Sequence, residues 1–331
     1  MDIRIYTFAF DFVCIIHKYI SSNWTIQYNG IGTWECHMPL DGTAAQIMQY
    51  PYLVAIQGDN QAIITGRQAN TEFVLYGRTV NWILSRRVIQ NFKTSELGIP
   101  QNGADIARWV VSQVFFDVDN FTVDNTLKLT TSEPFWRNTY NYADEVVADA
   151  LSRDGAGHRV EFDTAVNVWR FVPFIGNDSG LVVSEDTKNA YQTEYTEDGL
   201  NEYNGCYYEV QLEEDATQAG DNTEDGDAPA TEWREIPSTK TGIYRFIAIA
   251  SAQNESEAKS DLAKRKRTRD VTAKARRLSY GNDYSLGDIV TLKKSAGTWK
   301  HTTKARITGV NLAYEHGGYT EQPIFEEVEE E

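Results

Sequence analysis

Two cysteines and two histidines fall in the first forty residues: Cys14, His17, Cys36 and His37. Four ligands of this kind are what tetrahedral zinc requires. Their spacing works against a site. Side chains alternate between the two faces of a strand, so Cys14 and His17 point apart, and so do the neighbours Cys36 and His37. Buried thiols and half-exposed imidazoles are the simpler account, and no metal ligand is assigned. A second pattern, Asp221-x-Thr223-x-Asp225-Gly226 with Glu232 in the twelfth position, partly matches a calcium-wrapping loop. Thr223 stands where Asp or Asn is usual, Pro229 interrupts the wrap, and no flanking helices are evident. Asp221, Asp225 and Glu232 are therefore weak calcium candidates inside what reads as an acidic linker.

Lys264, Arg265, Lys266, Arg267, Arg269, Lys274, Arg276 and Arg277 hold 8 of the 31 basic residues. One reading is a nucleic-acid patch. The other places the first four in the last turn of a helix, where cations suit the dipole, and the later ones along a strand facing a neighbour's acidic surface. The overall charge favours the second. Catalytic patterns are absent: no G-x-S-x-G, no H-E-x-x-H, no phosphate-binding glycine loop and no C-x-x-C. The five histidines (17, 37, 158, 301 and 316) show no partner spacing, and 48 acidic residues produce carboxylate pairs by chance. The expectation is a protein that is not an enzyme, with no catalytic residue and no cofactor.

The elements around these residues are strands first. A hydrophobic fraction of 41% marks a globular chain of 331 residues, long enough for two or three cores. The 18 tyrosines, 8 tryptophans and recurrent β-branched residues favour sheets with one wet face. A net charge of -17 argues against binding to duplex DNA or an anionic membrane. The apolar run from Ile5 to Ile16 is broken by Asp11 and too short to span a bilayer, so neither membrane insertion nor a secretion signal is expected. Three scattered cysteines (Cys14, Cys36 and Cys206) make no disulfide framework and fit a reducing compartment.

Along the chain, Asn29-Gly30 predicts a two-residue hairpin turn, and Gly58-Asp59-Asn60 turns between 53–56 and 62–65. Trp34 and Cys36 are expected on one face of a strand, opposite Thr33, Glu35 and His37. Ile106, Trp109, Val110 and Val114 recur at helical spacing, with Asn102 as cap, and a second helix is predicted from Tyr142 to Arg153. Strands 158–162 and 166–172 form a hairpin. Residues 211–235 read as a solvated acidic loop. Order returns at 243–250, then a helix from Glu255 capped by Asn254, then strands to the closing Pro323-Ile324-Phe325. The final Glu326-Glu327-Val328-Glu329-Glu330-Glu331 is expected to be mobile. The fold class is mainly β with an α/β insertion.

The run Asp283-Tyr284-Ser285-Leu286-Gly287-Asp288-Ile289-Val290, followed by Ala305-Arg306-Ile307-Thr308-Gly309-Val310, resembles the closing barrel of tail-tip and baseplate hub proteins of long-tailed bacteriophages. Leu286-Gly287-Asp288 makes a tight bend that feeds Ile289 and Val290 into a strand. In order along the chain, Tyr28-Asn29-Gly30, 33–39, 73–89, 160–178 and 202–209 resemble earlier parts of the same family. The acidic segment has no counterpart there. The chain also stops soon after its last barrel, where many hubs continue, so lytic activity is expected on a partner instead.

The resemblance implies two small antiparallel, tail-tube-like β-barrel domains, 1–92 and 239–331, flanking an α+β middle region 93–238. It implies a homotrimer whose six barrels form a pseudo-sixfold ring between the tail tube and a central spike or fibre. Distal tail, tail-tube and tape-measure proteins would be its neighbours. DNA would pass an acidic lumen without specific binding, with screening confining the field to about 8–10 Å. Localisation would be the virion tail tip, after assembly in the bacterial cytoplasm. The competing class is a host-surface carbohydrate- or receptor-binding β protein, although most of the tyrosines and tryptophans sit in core-like strand patterns. Calorimetric titration with Ca²⁺ is expected to show no binding up to millimolar concentration; saturable heat would restore Asp221, Asp225 and Glu232 as ligands.

Overall fold

The computed structural model describes residues 1–99, 101–130, 135–137, 139–211, 231–252, 254–315 and 318–328. Alternating apolar and polar residues in the first eighty positions form β1 (Ile3–Thr7), β2 (Phe12–Ile16), β3 (Ser21–Gln27), β4 (Thr33–Met38), β5 (Leu53–Gln57), β6 (Asn60–Ala69) and β7 (Phe73–Thr79). A short helix, α1 (Gly42–Ile47), follows β4. Trp34 and Cys36 turn inward and Thr33, Glu35 and His37 outward, as the strand period requires. The indole rings of Trp24 and Trp34 meet at 5.4 Å in the interior. Both need a partner for their N–H. Buried Gln57 accepts from Trp24 Nε1 and Ser22 Oγ, each at 2.7 Å, and Trp34 Nε1 donates to Ser22 Oγ at 3.1 Å.

Gly58-Asp59 joins β5 to β6 in a two-residue turn, with Gln57 paired to Asn60 and Gly58 in the left-handed region at φ +62°. The Asn29-Gly30 connection is longer than predicted. Pairing of β3 with β4 stops at Thr25 and Thr33, because Tyr28, Asn29 and Gly30 are held by other segments.

The middle of the chain supplies α2 (Gly103–Val114), α3 (Ala143–Ser152) and the antiparallel pair β8 (Gly157–Asp163) and β9 (Val168–Phe174). Asn102 caps α2 as its position suggested, its Oδ1 accepting from Asp105 N at 2.9 Å. The apolar faces of both helices enter a core that also takes Phe10, Val54, Ile63 and Val80 from the first segment. Phe10 stacks on Phe162 at 4.1 Å. Apolar packing thus crosses residue 92 without a break.

Next come β10 (Asp178–Ser184) and β11 (Ala190–Asp198), then β12 (Gly205–Gln211), β13 (Thr231–Ile236), β14 (Ile247–Ile249) and helix α4 (Glu255–Lys264). The chain closes with β15 (Thr268–Ala275), β16 (Ile289–Ala296), β17 (Trp299–Glu315) and β18 (Gly318–Glu327). Contacts divide the chain into two compact units, one of Met1–Glu194 with Val271–Glu331 and one of Tyr195–Asp270. In the larger unit one sheet of thirteen strands runs β11-β15-β18-β17-β3-β4-β7-β6-β5-β1-β2, with β10 on β16 and β16 on β17.

The fold is mainly β with an α/β insertion, as the sequence indicated. Closed barrels are not what the strands form: among the described residues no sheet closes on itself, since the strand order ends at β11 and β2 without a pairing between them, and β3 bonds to β17 as well as β4 and so joins strands from both ends of the chain. Other expectations also change. Thr231 to Glu235 are strand rather than loop, because β13 finds β12 as a partner. Asp221 and Asp225 lie outside the described residues, while Glu232 sits on β13, 3.3 Å from Arg234. Of the four basic residues expected in a last helical turn only Lys264 is helical, since α4 ends there. Glu326 and Glu327 pair with Arg306 and Ala305 instead of fraying, and residues 329–331 lie outside the described set. Among the described residues no helix is long and apolar enough to cross a membrane.

Candidate functional site

Strand β17 is 17 residues long and changes partner along one edge. Residues 299–306 bond to β16 and residues 309–315 to β3, while β18 follows the opposite edge from 305 to 315. A ladder cannot pass from one partner to another without a gap, and backbone groups in a buried gap need other partners. Here two turns fill it, and both carry motifs that the sequence singles out.

The first is Tyr28-Asn29-Gly30. Tyr28 N donates to Thr308 O at 2.9 Å. Its hydroxyl reaches Gly155 O at 3.0 Å and Phe174 O at 3.3 Å, and burial raises its pKa, keeping it a donor. The second is Leu286-Gly287-Asp288. Gly287 has φ +86°, and its N–H donates to Ile307 O at 2.8 Å. A Cβ there would fall 2.3 Å from the Tyr28 ring, so only glycine fits both the dihedral and the space. Asp288 is buried and spends both carboxylate oxygens on backbone: Oδ1 accepts from Asn177 N at 2.9 Å and Oδ2 from Ser285 N at 2.8 Å. Arg306 spans the two turns, donating to Gly287 O at 3.0 Å with its guanidinium 5.6 Å from the Tyr28 ring centre.

The α/β part joins the same place through the free edge of β8. His158 N donates to Tyr28 O at 3.1 Å. Val160 N donates to Asn81 Oδ1 and Phe162 N to Gln61 Oε1, both at 2.7 Å. The amide nitrogens return bonds, Asn81 Nδ2 to Gly30 O at 2.8 Å and Gln61 Nε2 to Phe162 O at 3.0 Å. Asn29 Nδ2 donates to Ala148 O and Ser152 Oγ, which leaves Asn29 Oδ1 to accept from His158 Nδ1 at 2.9 Å. That bond fixes the proton of the neutral imidazole on Nδ1. Burial holds the His158 pKa down at about 4. Beside the junction lies a cleft of about 790 Å³ whose lining includes Gln61, Asn81, His158, Tyr280 and Asp288.

The tempting ligands of the sequence do not converge. Cys14 and Cys36 are buried, with thiols pushed up by burial to about 11 and about 12, far from the thiolate form that metals bind. His17 faces Asp2 at 3.0 Å. His37 lies between Glu35 at 2.7 Å and Glu72 at 2.8 Å, and bonds to both carboxylates raise its pKa. In the basic cluster Arg265 pairs with Asp261 at 3.0 Å, and Arg267 with Glu202 at 2.8 Å and Glu197 at 3.1 Å. Gln61 and Asn81 are the residues of this junction that pattern reading misses. Strand alternation places His158 inward but cannot name Asn29 as its partner.

No known family profile matches this sequence, and no curated protein does. Solved structures do. The 43 kDa tail protein of prophage MuSo2 from Shewanella oneidensis is 10% identical, with 98% of each chain covered and a TM-score of 0.56. A tail protein from Neisseria meningitidis MC58 is 10% identical over 98% of this chain and 96% of its own, at a TM-score of 0.54. The prophage tail protein gp18 from Listeria monocytogenes EGD-e is 11% identical over 100% and 96%, at a TM-score of 0.52. What is shared at such identity is the fold, from end to end, and it is a fold of phage tail proteins.

Gly287→Ala, which meets both a positive φ and the Tyr28 ring, is expected to cost about 2–4 kcal/mol. Asp288→Ala, which strands two backbone N–H groups, is expected to cost a similar ~2–4 kcal/mol. Urea denaturation measures both. His158 and His37 act in opposite senses with pH. His158 stays neutral when folded, so its contribution is lost as pH falls from its unfolded value of about 6.5 toward about 4. His37, with its pKa raised, contributes fully below about 6.5 and loses that contribution as pH rises. Thermal melts between pH 7 and pH 5 are therefore expected to fall more steeply for His37→Gln than for the native chain, and less steeply for His158→Gln.

Proposed function

We propose that this chain is a structural hub subunit at the tip or baseplate of a long-tailed bacteriophage tail, carrying no catalysis of its own. The observation that carries the reading is the end-to-end correspondence of its fold with three tail proteins, two of them from prophages, covering 96% or more of every chain involved. The bonding of β3 to β17 supports it, because strands from the beginning and the end of the chain share one sheet.

In the proposed assembly three copies form a pseudo-sixfold ring to which each contributes its two terminal β segments. The ring continues the tail tube and hands over to a central spike or fibre. Distal tail, tail-tube and tape-measure proteins are its neighbours. The net charge of -17 suits a lumen past which DNA slides, since carboxylates repel phosphate over a Debye length of about 8–10 Å. The junction polar groups are spent on backbone partners, which fits a part whose task is to keep three segments in register.

Electron microscopy of the chain assembled with its tail neighbours is expected to resolve threefold rings in which acidic side chains outnumber basic ones on the inner wall. A ring lined by basic residues, or particles with no central opening, would overturn the proposal.

A further inference from the structure

Where β15 ends, the sheet of the larger unit leaves a cleft of about 550 Å³. Strands β11 and β18 flank β15 in that sheet. The lining takes Tyr191 from β11, Arg276, Arg277 and Ser279 from the segment after β15, and Tyr319 and Glu321 from β18. Neighbouring residues of an extended chain point to opposite faces, yet Arg276 and Arg277 line one cleft. Arg277 lies in the left-handed region at φ +65°, which turns the chain there. Non-glycine residues held in that region gather at functional sites. The rim is anchored as well. Arg276 N donates to Asn189 O at 2.9 Å, and Asn189 Oδ1 accepts from Ser184 N at 3.0 Å while its Nδ2 donates to Val182 O at 2.6 Å.

Glu321, the carboxylate of the lining, is buried and spent: it accepts from Tyr319 Oη at 2.8 Å, Tyr284 Oη at 2.9 Å and Tyr280 N at 3.2 Å. Arg265 and Arg267 of the same basic stretch are paired with carboxylates. The guanidinium groups of Arg276 and Arg277 have no partner among the described residues. Ser279 Oγ accepts from Asn282 Nδ2 at 3.2 Å and keeps its own proton to donate. The cleft therefore offers a ligand donors, and two positive charges against the one negative charge of Glu321. That calls for an anion. A carboxylate has two oxygens and is filled by one guanidinium fork, so two forks and a hydroxyl outnumber it. A phosphate group brings at least three acceptor oxygens and, near neutral pH, close to two charges. It leaves much of the cleft free. Tyr191 and Tyr319, 41% and 46% exposed, present ring faces there for the carbon skeleton of an ester. We propose that Arg276 and Arg277 form a binding site for a phosphate group, either the free ion or an ester of a polyol. The inference does not depend on the hub ring.

Phosphorus NMR titration of the full chain tests it, with inorganic phosphate and glycerol 3-phosphate as probes and acetate as competitor. The native chain is expected to shift and broaden the phosphorus signals saturably, and acetate at equal concentration is expected to displace neither probe. Arg277→Gly keeps the left-handed backbone and removes the guanidinium, so its melting temperature should not fall. Its binding is expected to weaken about ten-fold or more, as for loss of a charged hydrogen-bond donor. Arg276→Gln, whose backbone bond to Asn189 is untouched, should weaken binding as much, so the result does not hang on one variant. Arg78→Gln removes an exposed charge from β7 and should bind as the native chain does. Tighter binding of glycerol 3-phosphate than of inorganic phosphate assigns the site to an ester, and equal binding assigns it to the free ion. Three results overturn the inference: no saturable binding by the native chain, displacement by acetate at equal concentration, or Arg276→Gln and Arg277→Gly chains that bind no more weakly than Arg78→Gln.

Discussion

One edge of a strand can serve only one neighbour at each residue, and β17 is asked to serve two in succession. The rest of the larger unit follows from how that demand is met. Between the last bond to β16 and the first to β3, the backbone of residues 307 and 308 is taken up by Gly287, Asp288 and Tyr28. Once those turns are seated, the loop after β3 is no longer free to make a tight hairpin, and the edge of β8 is brought against it. A local shortage of partners on one strand thus sets the position of the first sheet, the α/β part and the closing strands together.

The filling is polar, and that has an energetic logic. An apolar plug would leave carbonyls and N–H groups of three segments without partners, each at a cost of about 1–3 kcal/mol. Side-chain amides and a carboxylate supply the partners at fixed distance and angle, so a shifted register leaves several groups unpaired at once. Gln61 and Asn81 act as short extensions of the first sheet, bonding to β8 where no strand is in reach. Arg108 does the same within the α/β part, bonding Asp124 O at 2.8 Å and Leu127 O at 2.6 Å from a buried position on α2.

Local elements were legible in the sequence because local rules decide them. Asn102 and Asn254 cap the helices that follow, the β8–β9 pair forms around the predicted turn, and Trp34 and Cys36 lie inward by alternation. The motif around Gly287 was visible as a bend, and its φ of +86° makes it one. What it bends against was not visible. The bonds from Tyr28 to Thr308 and from His158 to Asn29 join residues far apart in sequence, and no periodicity encodes such pairs. The same reason hid the merging of the two ends into one sheet, since a β3 that pairs with β4 alone has the same alternation as one that also pairs with β17. The strand at Thr231–Ile236 was missed because half of its residues are charged and all but Ile236 are exposed, which composition reads as loop.

The length of β17 bears on how the molecule carries load. Its hydrogen bonds lie across the strand axis, along most of 17 residues and on both edges for much of them. A pull along that axis loads those bonds in shear, so many must fail together, whereas a pull across it would peel them one by one. The strand therefore has a strong direction and a weak one. Tension applied between the β16 end and the β3 end runs along the strong one, through the junction.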